Sequence, residues 1–256
     1  MNHDRGYVIR DYRTCHEGQD LRYFQVQVKQ SDLAIGVDLN SYSDSLLSLC
    51  RNQLIKLRSD IEDYILRQPL FQTTLLPIPL LPGAPEIVKR MSRAANRATV
   101  GPMAAVAGTI AEMMGEKLSI SSREVVVENG GDIYLKTGRE RMVAIFAGQS
   151  RFSYRIGIRI AGSEDAIGIC TSSGTVGHSL SLGRADAVVI KADSAALADA
   201  VATGAGNMVE SKADLMKAIA YAQNIPGVIG VLAIKDDQLA AWGQMEIAPI
   251  EKEEKP

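Results

Sequence analysis

Hydrophobic and polar positions alternate over residues 23–28 and again over 33–37, the period of a half-buried strand. These runs predict a hairpin joined across Lys29-Gln30-Ser31-Asp32. The period then lengthens. Ser41 or Ser43 can cap a helix reaching Arg67, with Leu46, Leu47, Cys50, Leu54, Leu57, Ile61 and Ile65 on one stripe. Cys50 lies on that stripe and is read as core. Residues 68–85 carry Pro69, Pro77, Pro79, Pro82 and Pro85, which predicts an irregular crossover. A second helix is expected from about Pro85 to just before Gly101-Pro102. Pro102 suits the first turn of a third, over 103–117, whose Ala104, Ala105, Ala107, Gly108 and Ala111 permit close approach by a neighbour or a ligand.

Strands are expected at 125–127, 133–136, 143–147, 154–160, 166–170 and 187–191. Asp193 or Ser194 caps an alanine-rich helix to about Met208, and 212–222 forms one more. Residues 228–234 and 239–242 read as a closing hairpin around Asp236-Asp237. Strands come in runs between helices, so the expectation is α+β, with mixed or antiparallel sheets packed by helices. One domain is expected over 1–248, followed by a charged, disordered tail over 249–256.

Composition narrows the partners. With 46% hydrophobic and 23% charged residues, the chain can bury a core. A net charge of -2 with scattered basic residues argues against a nucleic-acid partner. The densest basic group, Arg90, Arg93 and Arg97, has helical spacing and is read as a solvated helix face. No uncharged apolar run reaches the roughly 18 residues of a membrane span, and the longest contender is broken by Glu112. Residues 1–10 show no secretory apolar region. Cys15, Cys50 and Cys170 form no C-x-x-C pair, which leaves no zinc knuckle and suits a reducing compartment. The expectation is a cytoplasmic protein with no membrane partner, its oligomeric state open.

Three segments concentrate chemistry. Asn129-Gly130-Gly131-Asp132, after Glu128, is a hairpin-turn signal whose bare amides can also face a phosphate or a flavin ring. Cys170-Thr171-Ser172-Ser173-Gly174, continuing to His178 and Ser179, holds more hydroxyls than a turn requires. His178 can serve as acid, base or hydrogen-bonding group, or simply be structural. Cys170 is either a small buried hydrophobe or a nucleophile, and the second role needs a lowered pKa. On the alanine-rich helix, Asp199 and Thr203 are four residues apart and share a face, where two oxygens can hold a divalent cation if carbonyls and water complete the shell. Ser172, His178 and Asp186 admit a hydrolase triad on paper, but no G-x-S-x-G elbow is present.

These segments, in this order, resemble the ApbE superfamily of flavin transferases, which attach FMN from FAD to a protein threonine. Asn129-Gly130-Gly131-Asp132 resembles the end of the family's N-x-G-G-D turn, with Glu128 standing where its Asn would be. Thr171-Ser172-Ser173-Gly174 resembles its T-S-G segment, and His178 the histidine opening its H-x-I-D-P-x-T-G stretch. Ala198-Asp199-Ala200-Val201-Ala202-Thr203 resembles its A-D-A-L-A-T helix, whose Asp and Thr bind Mg²⁺. Residues 107–112 align with its K-G-Y-A-x-D motif. The resemblance spans roughly residues 20–245, and the run from Ala166 to Asp199 looks like a short intracellular branch of the superfamily.

The resemblance implies a flavin or related nucleotide-type ligand held by Asn129, Gly130, Gly131, Asp132, Thr171, Ser172, Ser173 and Gly174. It implies Mg²⁺ on Asp199 and Thr203, and a protein acceptor or partner. Departures from the family reduce the expected activity. Ala107 replaces its lysine, Glu112 its Asp, and the D-P-x-T-G element is missing after His178. Ligand binding without full FMN transfer is therefore expected. The alternatives are a sulfur-handling protein using Cys170 and His178, in line with the branch's suggested association with sulfur amino-acid metabolism, and a non-catalytic partner-binding protein.

Overall fold

The structure, a computed structural model, describes residues 20–174 and 183–250. His178, Cys15 and residues 251–256 of the expected tail lie outside the described residues. The chain opens with β1 (Leu21–Val28) and β2 (Ser31–Asp38), followed by α1 (Asp44–Arg67), α2 (Leu70–Thr73), α3 (Glu86–Ala98) and α4 (Val106–Leu118). Five strands come next: β3 (Val125–Asn129), β4 (Asp132–Thr137), β5 (Arg141–Ala144), β6 (Ile156–Ile160) and β7 (Ser163–Ser172). The remainder is β8 (Ala187–Ala192), α5 (Ala195–Gly206), α6 (Leu215–Gln223), β9 (Val228–Lys235), β10 (Gln238–Gly243) and β11 (Glu246–Pro249).

Eight strands form one sheet in the order β1-β2-β3-β4-β7-β8-β9-β10, and β11-β6-β5 form a second. Neighbouring strands are antiparallel throughout both. This is the α+β arrangement that the runs of strands predict. Side chains alternate across a strand, so the middle of the large sheet serves two cores. Tyr134, Cys170, Val188, Ile190, Val231 and Ala233 join the core shared with the helices. Ile133, Leu135, Ile169, Val189, Leu232 and Ile234 join the core shared with Val143, Ile158 and Ile160 of the small sheet. That double burial explains why the central strands are continuous apolar runs despite antiparallel pairing.

Several expectations are corrected. Ser43 caps α1, its Oγ accepting from the Leu46 amide at 3.2 Å, whereas Ser41 lies in a short 3-10 turn. Leu47 is exposed, and Tyr64 takes a buried place on the stripe with Leu46, Cys50, Leu54, Leu57 and Ile61. The crossover holds the short helix α2 and is pinned by hydrogen bonds. Arg67 donates to the Pro82 carbonyl, Gln68 to that of Pro79, and the Leu81 amide to the Tyr64 hydroxyl. The first turn of the third helix is a separate 3-10 turn, Pro102–Ala105. Ordered structure extends past residue 248: Pro249 belongs to β11 and the Ile250 amide donates to the Arg155 carbonyl. The arginine face is not simply solvated either. Arg90 pairs with Glu86, Glu112 and Glu116 and ties α3 to α4.

Candidate functional site

The β3–β4 hairpin turns on Gly130 and Gly131, with φ of 72° and 105°, values that a side chain would oppose. Asn129 and Asp132 face each other at its base. The Glu128 carboxylate accepts the Gly131 amide at 2.7 Å, and Asn129 Nδ2 donates to the Ala107 carbonyl at 3.1 Å. The turn is thereby anchored to the start of α4. Register places Asp132 of β4 beside Cys170 of β7, so the glycine turn and the Thr171-Ser172 strand end are neighbours. A Cβ on Gly131 would stand 3.9 Å from the Thr171 carbonyl oxygen.

Helix α5 brings the third segment to the same place. Ser194 caps it, its Oγ accepting from the Leu197 amide. Asp199 Oδ2 accepts the Gly108 amide at 2.8 Å. The approach is possible because position 108 lacks a side chain: a Cβ there would sit 2.2 Å from the Ala195 carbonyl oxygen. Thr203 is half-buried one helical turn beyond Asp199. At the end of α5, Ser172 Oγ would lie 3.3 Å from a Cβ on Gly206.

Gly174, Gly183 and Gly206 approach one another closely. A Cβ on Gly174 would meet the Gly183 oxygen at 2.0 Å, and one on Gly183 the Gly206 oxygen at 2.0 Å. The Gly174 amide also donates to the Ala185 carbonyl. The structure therefore gathers Asn129, Gly130, Gly131, Asp132, Thr171 and Asp199 around the start of α4, whereas Ser172 lies beside Gly206 at the end of α5. Ser173 is half-buried and Gly174 exposed in the loop that continues β7. Asp186 accepts the Asp236 amide and pairs with Lys235, and the triad reading with His178 lies outside the described residues.

The electrostatics are those of crowded carboxylates. Burial pushes the Asp199 carboxyl up to about 7, against the Gly108 and Ala107 amides, which favour its ionised form. Asp132 is raised well above the usual carboxylate range, first by burial, then by the charges of Asp199 and Glu128. Among the described residues no three His, Cys, Asp or Glu side chains are grouped to hold a metal ion by themselves. A cation at Asp199 would depend on Thr203, backbone oxygens and water.

Cys170 sits in the opposite of the environment that a thiolate nucleophile needs. It is fully buried, its thiol donates to the Ala195 carbonyl at 3.3 Å, and it hydrogen bonds with Asp132. Burial, followed by the charges of Asp132 and Asp199, raises its pKa well above the ordinary thiol value. Two residues acquire roles that sequence reasoning did not assign. Glu128 holds the glycine turn. Glu112 accepts from Ser194 Oγ at 2.5 Å and the Ala196 amide at 3.1 Å, and so occupies the N-terminus of α5. The only signal for Glu112 was its place in the K-G-Y-A-x-D alignment.

Antiparallel strands, helices on one face and these turns at one end define a fold shared with flavin transferases. The flavin transferase ApbE of Vibrio cholerae superposes with a TM-score of 0.57 at 15% identity, covering 87% of this chain and 96% of that one. The Pseudomonas stutzeri flavinyl transferase ApbE gives 0.58 at 11% identity, covering 87% and 94%. The family described as AbpE bacteria matches residues 13–229, and the chain belongs to it. Among its relatives is a UPF0280 protein of Methanococcus aeolicus, 39% identical over 227 residues, 86% of this chain and 91% of the relative. Another UPF0280 protein, from Methanocella arvoryzae, is 39% identical over 198 residues, 77% and 80% of the two chains. No described helix is long and apolar enough to cross a membrane.

Proposed function

We propose that this chain binds a flavin nucleotide together with Mg²⁺ at the site around the start of α4, without full FMN transfer to a protein threonine. The observation that carries the reading is the convergence of Asp199 with the glycine turn. Asp199 is held by amides of α4, and the same α4 start, through the Ala107 carbonyl, holds Asn129 of that turn. The donor chemistry fits a hard cation. Asp199 and Glu128 both place negative charge on the buried Asp132, and Mg²⁺ is commonly bound through one or two carboxylates plus substrate phosphates. Asp199 and Thr203 would hold the ion. When bound, it would neutralise charge on the ligand's phosphates.

Within this reading the Gly130 amide and the Thr171-Ser172-Ser173 hydroxyls orient the nucleotide, while the Gly131 amide stays on Glu128 and holds the turn. Ala107, in place of the family's lysine, withholds a positive charge from it, which supports weak FAD affinity. The sulfur-handling alternative gains no support from a buried thiol of raised pKa. Titration calorimetry with Mg²⁺, with and without FAD, tests the binding. Heat in the wild type that is lost in Asp199→Ala is expected, and a wild type indifferent to Mg²⁺ under both conditions would overturn the reading. Incubation with FAD, Mg²⁺ and a threonine acceptor peptide, read by mass spectrometry, tests the chemistry. No FMN adduct is expected; an adduct would restore transfer to the proposed function.

A further inference from the structure

We infer that two copies of this chain pair through the edge of β10 with which no described strand pairs, joining their large sheets across a two-fold axis. The inference rests on the sheet edge alone and is independent of the ligand reading. β10 ends the strand order, and its sequence, Gln-Leu-Ala-Ala-Trp-Gly, carries no charge and no proline. Soluble proteins protect an open edge with charged residues, proline, a bulge or a covering element. The opposite edge, β1, carries the exposed Arg22 and runs into Lys29. On β10, beside the exposed but uncharged Gln238, the large exposed side chains are apolar: Leu239 and Trp242 are each 38% exposed.

The free hydrogen-bonding groups follow from the register. The Asp186 amide donates to the Ile234 carbonyl, so the backbone groups of Ile234 point towards β8 and those of Ala233 and Val231 towards β10. Their partners Ala240 and Trp242 therefore bond inward, and Leu239, Ala241 and Gly243 turn their amides to the open side. An antiparallel copy related by a two-fold axis at Ala241 sets Ala241 against itself and Leu239 against Gly243 of the second copy. Ala240 then faces the second copy's Trp242.

That register is self-complementary. Trp242 lies on the helix face of the sheet with Ala240, since their partners Val231 and Ala233 belong to the helix-side core. Leu239 lies on the face of the small sheet, opposite Ile234. On each face a large side chain thus meets a small residue or none, and no like charges are opposed within the strand. This complementarity favours a second copy over an unrelated peptide as the occupant. An interface of this size is modest, so association should depend on concentration.

The chain supplies its own probe, because Trp242 is its only tryptophan. Sedimentation across a concentration series should show the mass rising from 27.6 kDa towards twice that value, with a blue shift of Trp242 emission in step. Ala241→Pro removes an outward amide at an edge position that proline tolerates, and should leave a folded monomer by circular dichroism. Ala241→Cys should form a disulfide dimer under mild oxidation, because directly hydrogen-bonded antiparallel residues have Cα atoms about 5.5 Å apart. Ala240→Cys and the wild type serve as references and should not. A wild type that stays monomeric with invariant emission would overturn the inference. So would a dimer that survives Ala241→Pro, or one that cross-links no better at 241 than at 240.

Discussion

The Gly108 amide reaches Asp199 Oδ2 across 91 residues of sequence, at 2.8 Å. That contact joins α4 to α5 and orients the carboxylate proposed to hold the metal. A Cβ at 108 would approach Asp199 Cβ to 2.7 Å and the Ala195 carbonyl oxygen to 2.2 Å, both shorter than ordinary van der Waals contact. Gly108→Ala should therefore force the helices apart and destabilise the fold by about 1–3 kcal/mol, the range for overpacked cores. It should also weaken Mg²⁺-dependent heat in calorimetry. Urea unfolding alongside that titration checks both, and an unchanged midpoint with unchanged heat would contradict the assignment.

Glu112 makes a second link between the same helices. Its carboxylate accepts from Ser194 Oγ and the Ala196 amide, and pairs with Arg90 at 3.2 Å. Removing it leaves a hydroxyl, an amide and a guanidinium without this acceptor in a half-buried setting. Glu112→Ala should lower stability by roughly 1–3 kcal/mol, and Glu112→Gln by less because one acceptor oxygen remains. Chemical denaturation of the three proteins in parallel would show the order.

Cys170 should be inert. Its pKa is raised by burial and by two carboxylates, while that of Cys50 is pushed up to about 11 by burial alone. Site-resolved iodoacetamide labelling at neutral pH should find both slow, Cys170 no faster than Cys50, with rates that rise only as denaturant opens the fold. Rapid labelling of native Cys170 would return it to the list of nucleophiles.

The metal-free protein should lose stability as pH rises. The folded-state pKa of Asp199, about 7, lies above its ordinary 3.8, so the folded state holds the proton more tightly than the unfolded chain. This contribution is fully present below pH 3.8 and is lost progressively on the way to 7. Asp132, raised in the same direction, adds to the loss. Thermal melts from pH 4 upward should show the decline, and Asp199→Asn should flatten it. Mg²⁺ should reverse the loss above pH 7 in the wild type. An Asp199→Asn profile that falls as steeply as the wild type's would refute the raised Asp199 pKa.

The local elements were legible in the sequence because their periods and caps are local. The stripe of α1, the Ser194 cap of α5, the Gly130-Gly131 turn and the closing hairpin at Asp236-Asp237 all stand where apolar spacing and turn residues put them. The order of the motifs also carried the family. Strand order was the province of tertiary structure: β7 enters the sheet beside β4, while β5 and β6 leave to form another with β11, a strand too short and too mixed in polarity to announce itself. So was the state of each buried polar group. A thiol beside a hydroxyl-rich loop reads in sequence as either a buried hydrophobe or a nucleophile, and pairing with Asp132 and burial under α5 decide its proton affinity. Glu112 reads as one more helix charge until α5 presents its free N-terminal amides. Period and turn chemistry act over a few residues, whereas desolvation and charge pairing depend on which distant residues become neighbours, and only the folded chain decides that.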